Sequence, residues 1–122
     1  MRSPHTIEID EENFAELALR DATPLLVDFG AAWCAPCRAI APHVEALAAA
    51  YAGRLRVAMC DSDANPKLTA ELDVRSVPTL LLFKDGRVIG QMVGAVPRVK
   101  LEAFVQRAFE PAAAAAGGAA AR

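Results

Sequence analysis

The sequence predicts an α/β fold in which helices cover a central mixed β-sheet, with the element order β-α-β-α-β-α-β-β-α. Residues 25–29 and 79–83 are nearly continuous apolar runs, typical of strands that are buried on both faces. Between and after these runs, apolar residues recur at helical spacing. Strands separated by helices imply parallel neighbours, and the turn signal Asp85-Gly86 adds one antiparallel hairpin.

The first half of the chain predicts two strands and two helices. Residues 6–9 alternate weakly and predict a short first strand, after which Asp10 is expected to cap a helix that ends near Arg20. The longest helical pattern follows the strand at 25–29. It covers residues 34–52 and is expected to stop at Gly53.

The second half predicts a strand at 55–60, a short helix, the hairpin and a final helix. Asn65 is expected to cap the short helix, with Pro66 as its first residue. The hairpin joins the strand at 79–83 to a strand at 88–93. Pro97 opens the final helix, whose apolar side consists of Val99, Leu101, Phe104, Val105 and Ala108.

Length and composition predict one domain, residues 1–110, followed by a tail at 111–122. The tail is rich in Ala and Gly, has almost no apolar face to bury, and is expected to be disordered. A net charge of −2 argues against a nucleic-acid partner. No apolar run approaches the roughly 18 residues of a membrane span, and the start lacks a hydrophobic leader, so we expect no membrane association and a cytoplasmic location.

The segment Trp33-Cys34-Ala35-Pro36-Cys37 indicates redox chemistry, because it follows a buried strand and opens a long helix. Residues three apart on a helix share a face, at a separation that a disulfide can bridge. Free N–H groups at a helix N-terminus stabilise a thiolate. We therefore expect Cys34 to be the exposed nucleophile, with its pKa lowered to about 7, and Cys37 to be the resolving thiol.

A metal site is the competing interpretation of these cysteines, and the spacing argues against it. His43 follows Cys34 by nine residues, which places it about 180° around the helix. Cys60 has no second cysteine near it, and three cysteines cannot form a four-cysteine zinc site. We predict no metal, and we expect Cys60 to be a small buried apolar side chain.

Asp28 stands in a run that is otherwise apolar. It could be a structural carboxylate whose hydrogen bonds are satisfied. Burial without a cation would instead raise its pKa and allow it to exchange protons near neutral pH, which is the interpretation we favour beside a dithiol.

Over about residues 5–109 the chain resembles the thioredoxin family. The matching pieces are Val27-Asp28-Phe29, the segment from Trp33 to Cys37, Pro42, Val77-Pro78-Thr79 and Gly94. The resemblance implies the thioredoxin fold, a monomer, and dithiol–disulfide exchange on disulfide-containing client proteins. It also implies that no cofactor is bound, and that electrons come from NADPH through a flavoprotein partner, thioredoxin reductase.

The resemblance also assigns a client-binding surface. Pro78 would be a cis-proline that faces the dithiol, and the backbone of Val77 would pair with the client strand. The flat apolar surface around the dithiol would consist of Trp33, Ala35, Pro36, Val77, Gly94 and Ala95.

Three residues depart from the family's usual pattern. Ala35 replaces a Gly, Gly30 replaces an aromatic residue that is usually Trp, and Met59 replaces a Lys beside the buried Asp.

The sequence therefore predicts a protein-disulfide reductase that works through Cys34 and Cys37, with Asp28 as the proton acceptor. Two alternatives remain at this point. One is an oxidase or isomerase of the same fold with a more oxidising potential. The other is a non-catalytic binding subunit of a larger complex, in which the dithiol would be incidental.

Overall fold

The computed structural model describes residues 5–110, so the predicted tail at 111–122 lies outside the described residues. Its centre is a five-stranded sheet in the order β1-β3-β2-β4-β5. The strands are β1 (Ile7–Glu8), β2 (Leu25–Gly30), β3 (Arg56–Asp61), β4 (Thr79–Lys84) and β5 (Arg87–Val93). β1, β3 and β2 run parallel to one another. β4 pairs antiparallel with β2, and β5 pairs antiparallel with β4. The predicted mixed sheet and element order are confirmed.

The helices cover both faces of this sheet. They are α1 (Ala35–Ala50), α2 (Pro66–Glu71) and α3 (Arg98–Gln106), the last continuing into a 3₁₀ turn at Arg107–Phe109. Alternate residues of β2 point to opposite faces, so Leu26 packs with α1 and α3 while Val27 packs on the other side. The central strand is therefore buried on both faces, as its apolar run predicts.

The helix expected after Asp10 is shorter than predicted. The structure has only a five-residue π-helical turn, Ala15–Leu19. Asp10 Oδ1 accepts the N–H groups of Glu12 and Asn13, at 2.9 Å each, and its carbonyl accepts the N–H of Phe14 at 3.0 Å. These are the bonds of an N-cap, so the predicted capping role of Asp10 is confirmed, although the π-helical turn itself begins at Ala15.

The cap expected at the start of α2, by contrast, is wrong. Asn65 precedes the helix but makes no side-chain cap, and its Oδ1 accepts the N–H of Glu11 at 3.0 Å. Glu11 Oε2 accepts the N–H groups of Lys67 and Leu68, at 2.8 and 3.1 Å. The cap of α2 is therefore supplied by Glu11, from a distant part of the chain, and not by Asn65.

The hairpin turn was predicted correctly, whereas the place of Val99 on the apolar side of α3 was not. Asp85 and Gly86 have positive φ angles of 53° and 77°, so the predicted hairpin turn is confirmed. Val99 is 70% exposed and does not belong to the buried face of α3, which Leu101, Phe104 and Val105 form.

Candidate active site

Cys34 and Cys37 lie where the central strand passes into the longest helix. β2 ends at Gly30, and Cys34 is the N-cap residue of α1 with an extended backbone (φ −91°, ψ 108°). The two cysteines form a disulfide with their Cα atoms 5.3 Å apart. Cys34 Sγ also accepts the backbone N–H of Cys37 at 3.1 Å. The helix N-terminus therefore directs a hydrogen-bond donor at the sulfur that the sequence predicts to be the nucleophile.

The expected exposure of the two cysteines is wrong in this disulfide form. Cys34 is only 2% exposed, whereas Cys37 is partly exposed. The sulfur of Cys34 is turned towards the first turn of α1, which it caps. The side of Cys37 faces Gly30, which has no side chain to cover it.

Asp28 is a buried carboxylate in the middle of β2. It is 2% exposed, and its Oδ1 has no hydrogen-bond partner among residues 5–110. Desolvation raises the pKa of Asp28 from 3.8 to about 7. Because Leu26 packs against α1 and side chains alternate along a strand, Asp28 lies on the sheet face that α1 covers.

Met59 is the residue of β3 directly opposite Asp28 in the parallel register. It is a partly buried apolar side chain packed against the cluster that joins the sheet to α1. The residue opposite the buried carboxylate is therefore a neutral side chain, and desolvation raises the pKa of Asp28 without a cation beside it to lower it.

Trp33 is 68% exposed and is held by a contact that the sequence analysis missed. Its Nε1–H donates to Asp63 Oδ2 at 2.7 Å. Asp63 is in turn positioned by Asp61, whose Oδ1 accepts the N–H of Asp63 at 3.0 Å. The signal that could have found Asp63 is topological, because the carboxyl ends of parallel strands meet at one sheet edge and Gly30 pairs with Asp61 there.

The Val77–Pro78 peptide bond is cis, as the resemblance implies. Pro78 is buried, and its carbonyl accepts the N–H of Gly94 at 2.9 Å, which brings two of the predicted surface residues together. Val77 and Trp33 line one open groove of about 560 Å³.

The rest of the predicted surface lies on two short segments. Ala35 and Pro36 are exposed in the first turn of α1, and Ala95 is exposed next to Gly94. Pro78 is therefore buried, whereas Trp33, Ala35, Pro36 and Ala95 of the predicted surface are exposed.

Cys60 is 2% exposed, in the apolar cluster on the far face of the sheet, as predicted. Burial, with smaller contributions from nearby carboxylates, raises the pKa of its thiol to about 12. Within residues 5–110, no group of three His, Cys, Asp or Glu side chains is placed to hold a metal ion. Nor is any helix of that part of the chain long and apolar enough to cross a membrane.

Comparison with known proteins places this site in a family. The thioredoxin family model matches residues 5–107. The chain is 45% identical over 101 residues to thioredoxin C-2 of Corynebacterium nephridii, covering 83% of this chain and 94% of that protein. It is 44% identical over 98 residues to a thioredoxin of Alicyclobacillus acidocaldarius, covering 80% and 92%. The chain therefore belongs to the thioredoxin family, and with this cysteine pair it is a thiol-disulfide oxidoreductase of the protein-disulfide reductase type.

Proposed function

We propose that Cys34 is the nucleophile that attacks disulfides of client proteins. The observation that carries this proposal is the N–H of Cys37, which donates to Cys34 Sγ at the N-terminus of α1. That donor and the helix dipole favour the thiolate over the thiol, and the thiolate is the attacking species. Attack forms a mixed disulfide between Cys34 and the client and releases the client's other sulfur as a thiolate.

In the second step Cys37 releases the reduced client. Its thiolate attacks Cys34 Sγ, the bond from Cys34 to the client breaks, and the protein disulfide forms. Asp28 is proposed to accept the proton of Cys37. Its place on the face beneath α1 and its pKa of about 7 suit a group that is deprotonated for part of the time at working pH.

Clients are proposed to bind across Trp33, Ala35, Pro36, Val77, Gly94 and Ala95. The groove between Trp33 and Val77 supports this, since it includes Trp33, the residue before Cys34, and its lining contains the apolar residues Ala70 and Val74. The lining also contains the charged residues Asp63 and Arg75. Pro78 is proposed to shape this surface through its carbonyl contact with Gly94.

The protein is proposed to need no bound cofactor and to work as a monomer in the cytoplasm. Electrons would come from NADPH through a flavoprotein thioredoxin reductase. A coupled assay tests this: the host's reductase, NADPH and insulin are mixed with catalytic amounts of the protein. NADPH consumption that depends on both proteins is expected, and its absence would remove the reductase from the proposal.

Trapping variants test the roles of the two cysteines. Cys37→Ser should accumulate mixed disulfides with proteins of an oxidised lysate, because the resolving thiol is gone, and Cys34→Ser should accumulate few. Non-reducing gels show the outcome. Equal trapping by Cys34→Ser would mean that the roles are wrongly assigned, while a wild type that fails to speed insulin reduction by dithiothreitol would favour a binding subunit.

A further inference from the structure

Residues 31–33 join β2 to α1 and lead directly into Cys34. Ala32 and Trp33 are exposed, so packing does little to fix this loop. The N–H of Cys34 donates within the loop, to the carbonyl of Ala31 at 3.1 Å. Hydrogen bonds, rather than buried apolar contacts, therefore determine where Cys34 lies.

Arg38 connects this loop to the helix that follows it. Its Nη1 donates to the carbonyl of Ala32 at 2.7 Å. Its backbone N–H donates to the carbonyl of Cys34 at 3.2 Å, as the first turn of α1 requires. The side chain of Arg38 thus reaches back past Cys34 and bonds to the loop two residues ahead of it.

The guanidinium of Arg38 also places a positive charge near the N-terminus of α1. It makes no ion pair with another residue of the described part of the chain, 5–110, and the first turn of α1 contains no acidic residue. A cation at this end of a helix is unfavourable to the helix itself, but the cation and the helix dipole both stabilise a thiolate there. The bond and the charge of Arg38 therefore favour the same state, the thiolate of Cys34 at the N-cap.

We propose that Arg38 is a positioning residue for the nucleophile, because it fixes the carbonyl of Ala32 and so keeps Cys34 at the N-cap of α1. In that place the sulfur of Cys34 accepts the N–H of Cys37. The inference rests on the proposed function, in which Cys34 attacks the client, and it adds a residue that acts through Cys34 and does not itself bind the client. Without the bond from Arg38, the loop loses the contact that ties it to the helix, and the thiolate loses part of its stabilisation.

Substitutions at residue 38 test this role in the reduced protein. Arg38→Met keeps an unbranched stem but removes the donor and the charge. The midpoint of the pH profile for alkylation of Cys34 by iodoacetamide should rise by roughly 0.5 to 1 pH unit, which is the effect of losing one net hydrogen bond. Below both midpoints, alkylation of Cys34 and reduction of insulin should each slow by about threefold to tenfold.

Two further variants serve as rescue and control. Arg38→Lys keeps a cation and a donor and should restore most of the wild-type profile. Arg87→Met removes the same group at the exposed start of β5 and should match the wild type. Fragmentation of the tryptic peptide confirms that the alkyl group is on Cys34.

The other titratable groups at this end of the sheet are the same in all of these proteins. They are Cys37 on α1, Asp28 on β2 and Asp63 after β3, whose Oδ2 accepts the Nε1–H of Trp33. Their contributions to the pH profile are therefore common to the wild type and the variants, and a difference between profiles reports on residue 38.

An unchanged midpoint in Arg38→Met would overturn the inference, and so would an equal rise in Arg87→Met. A lower melting temperature of Arg38→Met with an unchanged midpoint would assign a structural role only and would also overturn it. Failure of the proposed function is measured separately, by mixing the pre-reduced wild type with insulin in a single turnover. If the wild type reduces insulin while the midpoint of Arg38→Met is unchanged, the inference is wrong and the function stands. If the wild type does not reduce insulin, the function itself is wrong.

Discussion

Asp28 makes the stability of the fold depend on pH, because its charged form is costly in an apolar interior. Its pKa is about 7 in the folded protein and 3.8 as an isolated group, so folding favours the protonated acid. The contribution of the acid is fully present below about pH 4 and is lost as the pH rises through 7. A shift of this size corresponds to a free energy on the order of 4 kcal/mol.

Asp28→Asn should therefore stabilise the fold above pH 7 by up to a few kcal/mol and have little effect near pH 4. Urea unfolding at several pH values measures this. Asp85→Asn, at the exposed hairpin turn, removes the same charge and should show no such pH dependence. The same Asp28→Asn substitution should slow resolution of the mixed disulfide more than its formation. A gain in stability that is constant from pH 4 to 8 would contradict the desolvation argument.

Met59→Lys should lower the pKa of Asp28, because it places a cation opposite the carboxylate in the strand register. Carboxylate NMR titration of the reduced wild type and variant measures the shift directly. The acid limb of the pH–rate profile of resolution should move to lower pH with it. If Asp28 titrates near 3.8 in the wild type, it is solvated, and its role as a base loses its physical support.

The capping contacts at α2 join two elements that lie far apart in the chain. Glu11 Oε2 accepts the N–H groups of Lys67 and Leu68, and Asn65 accepts the N–H of Glu11. The carboxylate thus satisfies donors of the first turn of α2 and interacts favourably with its dipole.

Glu11→Ala should destabilise the protein by about 1 kcal/mol, as loss of a helix cap does. Urea denaturation of variant and wild type measures it. Glu12→Ala is the matched control, since Glu12 is the next residue, also exposed, and only its backbone N–H makes a local bond, to Asp10. Equal losses in both variants would show that the contacts of Glu11 to α2 contribute nothing.

Sequence patterns that lie within a single strand or helix predicted the positions of the strands and helices well. The apolar runs located β2 and β4, because a strand that is buried on both faces has apolar side chains at nearly every position. Each of these strands extends one residue further than predicted. The cap at Asp10 was predicted correctly, because its partners Glu12 and Asn13 follow it directly in the chain. The cap at Asn65 was predicted wrongly, since Asn65 accepts the N–H of Glu11 from a distant part of the chain.

At the scale of the whole molecule, the last described segment, Arg107–Phe109, packs beside the C-terminal end of α1 through a stack of rings. Phe109 stacks on Tyr51 with centroids 5.7 Å apart, and Arg54 lies 5.4 Å from the Phe109 ring. Gln106 Nε2 donates to the Tyr51 hydroxyl. The described chain therefore has packed contacts up to the residue before Glu110.

Deleting residues 111–122 should leave turnover and melting temperature nearly unchanged, which is how we test the prediction that the tail buries almost nothing. Deleting residues 107–122 is the matched comparison, because it also removes Phe109 from its stack and the buried Ala108. Thermal unfolding should show a loss of several degrees only for the longer deletion. Equal losses would show that the tail itself packs on the domain.

The position of β2 in the centre of the sheet ties the chemistry to the most protected part of the chain. β2 pairs with β3 on one side and β4 on the other, over nearly its full length. Its amide hydrogens can exchange with solvent only when the sheet opens, whereas the two-residue edge strand β1 opens at little cost. Local opening at the edge thus leaves the cysteine pair in place. Heat inactivation should accordingly coincide with global unfolding, without an inactive, partly folded species before it.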